Sequence, residues 1–222
     1  MKLVYKYTSF ETFKDILEND SLLLTDIKKS NDRTELKLIY NVLSEVFIEE
    51  YNKANPKYME RNFPEKEFRK FYNENTTFIN KAETTLHTQY VTCFSSSGDM
   101  LSQWRGYGSD GKGISIGFDE NWFKCLSNEY YFDKVRYNHK KQKAVVRENI
   151  KTIVRELRSH VKENGTMEGF SVIQFQTAYN ELLLKGVFIK HPFFKEERES
   201  RLSYWHTNNL ERKNLPIKKN AI

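Results

Sequence analysis

Apolar and polar positions alternate at the start, in the middle and near the end of the chain. Between those stretches the apolar positions recur every three or four residues. Alternation places successive side chains on opposite faces of a strand, whereas the longer period gathers them on one face of a helix. On that basis residues 3–7 (LVYKY) predict a first strand. Thr8 followed by Glu11 predicts a capping box opening a short helix with Phe10, Phe13, Ile16 and Leu17 on one face. SLLLTDIKK is a second strand or a turn. From Asp32 the pattern is helical for about fifty residues. Leu36, Ile39, Leu43, Val46 and Phe47 form a first stripe and Phe68, Phe71, Tyr72 and Ile79 a second, joined by a Pro56- and Pro64-containing connection.

Residues 90–95 (YVTCFS), 113–118 (GISIGF) and 129–137 predict further strands. Residues 139–163 predict a long helix with Val146, Ile150, Ile153, Leu157 and Val161 inward and Lys/Arg outward, and another helix follows over 171–185. A last strand covers 197–204. The order predicts one α+β domain over residues 1–222, built on a central mixed or antiparallel sheet with a helical insertion at about 32–88. No repeat, low-complexity tract or interdomain linker interrupts it.

Composition changes this picture little. The 222 residues suffice for an ordinary core, and 16 Phe with 13 Tyr make that core aromatic-rich. A mean hydropathy of −0.74 and the lack of any long apolar run predict a water-soluble, cytoplasmic protein with no membrane partner. Cys93 and Cys125 have no Cys or His at metal-ligand spacing and are expected as buried free thiols. The five histidines show neither HxH nor HExxH, so no metal is expected, and no GxSxG elbow is present. The net charge of +6 suits an anionic partner, although the basic face of the long helix reads first as a solvated surface.

Three stretches combine aromatic, hydroxyl and charged residues at predicted strand ends. Tyr5-Lys6-Tyr7 lies on the first strand, with the tyrosines on one face and Lys6 on the other. The stretch from Cys93 to Phe118 holds Ser95, Ser96 and Ser97, then Trp104, Arg105 and Tyr107 in a glycine-punctuated loop. An aromatic ring and an Arg there suit a planar ring and a phosphate, though a Trp plugging the core is the plainer reading. Neither GxxxxGK[ST] nor a GxGxxG opening a helix occurs. In the third stretch a continuous strand would put Glu197, Glu199, Arg201 and Ser203 on one face. Alone that is a surface ion-pair ladder, but the face lacks apolar residues and so belongs to a surface or a cleft.

These stretches together resemble the bacterial domain of unknown function 2971 family. The opening YKYTSFETFKDILEND, Ser30-Asn31-Asp32 with Glu35, CFS, LSQWRGYGSDGKGISIGF and FKEERESRL carry the likeness. Their layout in turn resembles that of ADP-ribosyltransferases. That resemblance implies the ADP-ribosyltransferase fold, NAD as the substrate, and a nucleic-acid or protein acceptor, in the setting of a bacterial toxin or anti-phage effector with an antitoxin or defence-system partner. It implies Glu199 as the catalytic acid and Glu197 as its acceptor-side partner. Ser95 and Ser96 would support the Glu, Trp104 and Tyr107 would wall the nicotinamide, and Arg105 would meet the pyrophosphate. Tyr5, Lys6 and Tyr7 would occupy the first-motif strand, where that superfamily usually has His or Arg. The alternatives are a non-catalytic nucleic-acid-binding or sensor module, which the +6 charge and the basic helix permit, and a partner-binding module of a defence system with a degenerate pocket, for which the departure at the first motif speaks.

Overall fold

The alternating opening forms β1 (Leu3–Thr8), which pairs antiparallel along its whole length with β4 (Ile114–Asp119), from Leu3 opposite Asp119 to Thr8 opposite Ile114. The computed structural model describes residues 2–27, 35–53, 70, 73, 88–126, 129–164, 170, 184–206 and 213–216. The chain divides into two units, one of Met1–Arg33, Leu86–Tyr137 and Lys190–Ile222, the other of Thr34–Thr85 and Asn138–Ile189.

In the first unit α1 (Phe10–Glu18) leads into β2 (Ser21–Asp26), and β3 (Thr88–Ser95) crosses the sheet centre. After β3 come α3 (Leu101–Tyr107), β4 and the short α4 (Glu120–Lys124). The unit closes with β5 (Tyr130–Lys134), β6 (Glu199–His206) and β7 (Lys213–Pro216). The strand order is β4-β1-β3-β2-β7, with β6 also on β3 and β5 on β6, and every recorded pairing is antiparallel. The class is α+β. One face of this sheet buries Val4, Tyr90, Phe94, Ile116, Phe118, Leu202 and Tyr204 with Ile16, Leu22, Leu24 and Phe123. Phe94 lies 4.7 Å from the Phe123 ring and 5.7 Å from that of Phe118, so the core is aromatic as the composition predicts.

The second unit packs α2 (Glu35–Lys53) on α5 (His139–Asn164). Ile39, Val42, Leu43, Val46 and Phe47 meet Val146, Ile150, Ile153, Val154 and Leu157, the periodic positions of both helices. The basic face of α5 is not simply solvated. Lys143 and Arg147 pair with Glu45, Glu49 and Glu50 of α2, and Arg158 donates to the backbone carbonyls of Glu50 and Tyr51. Lys143 and Arg147 hold the Glu49 carboxyl down at about 2.

Several expectations need correction. The cap of α1 is Ser9, not Thr8, because Ser9 Oγ accepts from Thr12 N at 3.2 Å while Thr8 continues the ladder of β1. Trp104, Arg105 and Tyr107 sit on a helix rather than in a loop. The stretch LSQWRGY has enough helix formers to carry Gly106, and the turn ends where Gly108 N donates to Gln103 O and Trp104 O. Both cysteines are exposed rather than buried. The stripe Phe68, Phe71, Tyr72 and Ile79, the pair Asn31 and Asp32, and most of the helix expected over 171–185 lie outside the described residues.

Candidate functional site

One edge of β3 is filled along its whole length by β6, from Thr88 opposite His206 to Ser95 opposite Glu199. The other edge is therefore shared by β1 and β2. β1 touches it at a single pair, Tyr5 with Ser95, and then leaves with β4. β2 arrives at the far end, Thr25 opposite Val91 and Asp26 opposite Tyr90, after running beside β7. Between these contacts residues 92–94 of β3 have no strand partner on that edge among the described residues. The sheet forks, and a cavity of about 300 Å³ occupies the fork. That volume lies at the small end of the range for small-molecule sites.

The cavity is lined by Tyr5, Lys6, Tyr7 and Thr8 of β1 and by Val91, Thr92, Cys93 and Phe94 of β3. Leu23 and Thr25 of β2, Thr12 of α1, Gln103 and Tyr107 of α3, and the acids Glu197 and Glu199 complete it. Tyr7 donates through its hydroxyl to Ser97 O at 2.8 Å, and its ring meets Trp104 edge-on at 4.8 Å. Gly98 allows the Tyr5 ring to lie against the backbone; a Cβ there would sit 2.6 Å from that ring.

The two acids meet by a route other than strand alternation. Pro192–Glu197 is a 3₁₀ turn, Arg198 is left-handed (φ 47°, ψ 44°), and the strand begins only at Glu199. Glu197 therefore does not belong to β6. The turn brings it beside Glu199 because both bind one ammonium, Lys190 Nζ, at 2.5 Å from Glu197 Oε2 and 3.1 Å from Glu199 Oε2. Arg201 grips Glu199 from two residues along the strand, Nε to Oε1 at 2.6 Å and Nη2 to Oε2 at 3.2 Å. Ser95 Oγ donates to Glu197 O at 2.8 Å, Ser96 N donates to the carbonyl of Arg198, and Glu199 N donates to the Tyr137 hydroxyl at 3.0 Å.

These surroundings separate the two carboxyls. Glu199 is 5% exposed. Burial alone would raise it, but the Arg201 guanidinium, helped by Lys190, holds it at about 2. Glu197 moves the other way: burial raises it, the charge of Glu199 adds to this, and Lys190 only partly opposes it. Burial works against the charge on Lys190, but Glu199 and Glu197 together raise it well above an ordinary lysine. Desolvation by the cavity walls raises the Tyr107 hydroxyl to about 12, with Glu197 reinforcing it. Lys6 is lowered by burial.

Of the residues singled out from sequence, the fork brings Tyr5, Lys6, Tyr7, Tyr107, Glu197 and Glu199 to one cavity. Ser95 stands behind Glu197 as a support. Trp104 reaches the cavity only through Tyr7 and ties its Nε1 to Asp99 Oδ1 at 2.8 Å, whereas Ser96 and Arg105 are exposed and do not line it. Gln103, Cys93, Thr8 and Thr12 lie inside the quoted stretches but are not among the site residues singled out there, and Lys190, Thr25 and Thr92 carry no motif that would have found them. Among the described residues no group of three or more His, Cys, Asp or Glu is arranged to hold a metal ion, and no helix is long and apolar enough to cross a membrane.

Residues 103–202 match the family described as "Protein of unknown function (DUF2971)". The match spans just under half of the chain. It includes Gln103, Tyr107, Lys190, Glu197, Glu199 and Arg201, while the opening YKYTSFETFKDILEND and the CFS segment lie outside it. No curated protein and no solved structure matches the chain.

Proposed function

We propose that the fork cavity is the active site of an NAD-dependent transferase that moves ADP-ribose to a nucleic-acid or protein acceptor. The observation that supports this most is the pair of carboxyls on one cavity wall, bridged by Lys190 and pushed in opposite directions. Acid and base roles on one site are assigned by such a separation. Glu199, ionised at any working pH, supplies the fixed negative charge that favours a ribosyl cation as the C1′–N bond to nicotinamide breaks and its electron pair leaves with the neutral base. Glu197, whose carboxylate is the easier of the two to protonate, accepts the proton that the acceptor loses as its lone pair forms the new bond at C1′. Tyr7 and Tyr107 offer aromatic walls for a planar ring, and the strand carrying Tyr5, Lys6 and Tyr7 forms the opposite side.

The test is nicotinamide release and label transfer from adenylate-labelled NAD, with total RNA, DNA and cell lysate as acceptors. Wild type transfers label. Glu199→Gln keeps the fold by circular dichroism and loses about 10²- to 10³-fold in rate, the usual effect of removing one charge-stabilising group. Glu197→Gln loses transfer more than nicotinamide release. A folded Glu199→Gln with wild-type turnover, or a wild type that never consumes NAD with any acceptor, overturns the reading.

A further inference from the structure

The acids of the cavity are already engaged: Glu197 and Glu199 share Lys190, and Glu199 also holds Arg201. Two carboxylates thus face two cations. Lys6 stands outside that balance. Its half-buried ammonium donates to Thr92 Oγ1 at 2.8 Å and lies 5.9 Å from the Phe94 ring centroid, and no carboxylate among the described residues pairs with it. An ammonium withdrawn from water without a counter-charge is costly to the fold, and burial accordingly lowers its pKa. Such a group becomes favourable when an anion enters the cavity beside it.

The wall around Lys6 indicates which anion. Thr8, Thr12 and Thr92 line the cavity from β1, α1 and β3, while Thr25 of β2 lines it with its hydroxyl already donating to Val91 O at 3.4 Å. Thr92 Oγ1 accepts from Lys6 and Thr12 Oγ1 accepts from Ser9 Oγ at 3.3 Å, so each keeps its own proton to donate. A cation flanked by hydroxyl donors on several sides fits a tetrahedral oxyanion better than a planar carboxylate.

We propose that Lys6 and the threonines of the fork form a phosphoryl-binding subsite. The proposal rests on the nucleotide reading above in placing the phosphate of the transferred group here, and it moves that role from Arg105, which is exposed and off the cavity. Inorganic phosphate, pyrophosphate and the phosphate of a nucleotide share this chemistry, and the experiment separates them.

The experiment is calorimetric titration and thermal melting of wild type, Lys6→Met, Lys6→Arg, Thr92→Val and the control Lys140→Met with phosphate, pyrophosphate, AMP and acetate. Wild type binds at least one of the phosphate compounds and not acetate, and AMP above pyrophosphate marks a nucleotide as the source. Lys6→Met loses about 10-fold or more in affinity, the size expected for a charge-assisted hydrogen bond, while Lys6→Arg retains most of it. Thr92→Val weakens binding, and Lys140→Met, an exposed lysine of α5, does not. Without ligand Lys6→Met melts no lower than wild type, because an unpaired ammonium has been removed. Equal binding by wild type and Lys6→Met, acetate binding as tightly as phosphate, no phosphate binding at all, or a Lys6→Met protein that melts clearly lower would each overturn the subsite. NAD turnover with a KM unmoved by Lys6→Met would sink the subsite and leave the transferase reading standing. Lys6-dependent phosphate binding without NAD turnover would do the reverse.

Discussion

Arg201→Met tests the least replaceable contact of the site. Arg201 is 2% exposed and places two nitrogens on the two oxygens of Glu199. Without the guanidinium, Glu199 keeps the Lys190 ammonium at 3.1 Å, which it shares with Glu197, and the neighbouring Cys93 thiol. Removing one partner of a buried pair typically costs about 3–5 kcal/mol, since the other charge is left uncompensated. Protonation limits that cost. Holding a carboxyl of ordinary pKa 4.5 in its neutral form at pH 7 takes about 3.4 kcal/mol, so the stranded Glu199 has an escape near the lower end of the range. A loss of about 3 kcal/mol is therefore expected at pH 7, equivalent to about 6–12 °C in Tm for a chain of this length.

The assay is urea unfolding and thermal melting of wild type, Arg201→Met and the double variant Arg201→Met/Glu199→Leu, at pH 7 and pH 4.5. The double variant recovers most of the loss, because two buried charges have become packed apolar groups. The single variant recovers part of it at pH 4.5, where the proton is easily found. An Arg201→Met protein within about 1 kcal/mol of wild type at pH 7, or a double variant no more stable than the single, would refute the view that this contact compensates a buried carboxylate.

Two further outcomes follow from the same geometry. The stability of wild type rises as pH falls from neutrality, because Glu197 has its folded pKa raised and its protonated form is favoured in the fold. Below about 4.5 stability then falls as Glu199 and Glu49, both held at about 2, must take up protons; the Glu199 shift alone corresponds to about 3 kcal/mol. Urea midpoints from pH 7 to pH 2.5 check this, and a curve that only declines on acidification would contradict the opposed shifts. Gly113→Ala destabilises by about 3 kcal/mol, since its Cβ would meet Thr8 O at 2.2 Å and Gly108 O at 2.9 Å, backbone atoms that no rotamer change can move; denaturant unfolding measures it.

The elements were legible in the sequence wherever one period ran unbroken. β1, β4 and β6, and the long helices α2 and α5, follow alternation or helical stripes that local sterics and burial enforce. The fork was not legible, because it depends on which strands share one edge of β3, and residues 92–94 read the same whether or not a neighbour pairs with them. Alternation also misled at Glu197. It assumes extended backbone between the two acids, but Arg198 turns left-handed at φ 47° and a 3₁₀ turn precedes it. Pro192 was the available signal: it opens that turn at the position where a proline favours a helical start, five residues before Glu197. Lys190 could not be found that way. An isolated lysine before a turn has no periodic signature, and its role appears only when two carboxylates converge on it.

Several departures from local rules lie at or beside the fork, while Asp20, Ser109 and Asp110 hold left-handed conformations elsewhere in the same unit; the group at the fork supports a site there. Among the described residues a sheet edge gives up pairing at residues 92–94, a lysine beside that gap has a threonine but no carboxylate as partner, and a strand buries a Glu and an Arg where an apolar residue would pack at lower cost. A non-glycine residue also holds a left-handed conformation, at an energetic cost of order 1–2 kcal/mol. Each feature alone has a structural explanation. Arg198 could simply terminate a turn, and Glu199 with Arg201 could simply fix a register. Stability alone does not require Lys6, Glu197 and Glu199 to line one cavity. The proposed ligand would give a reason, since opening the strands would make room for it, the separated acids would supply a charge and a proton acceptor, and Lys6 would gain a counter-ion.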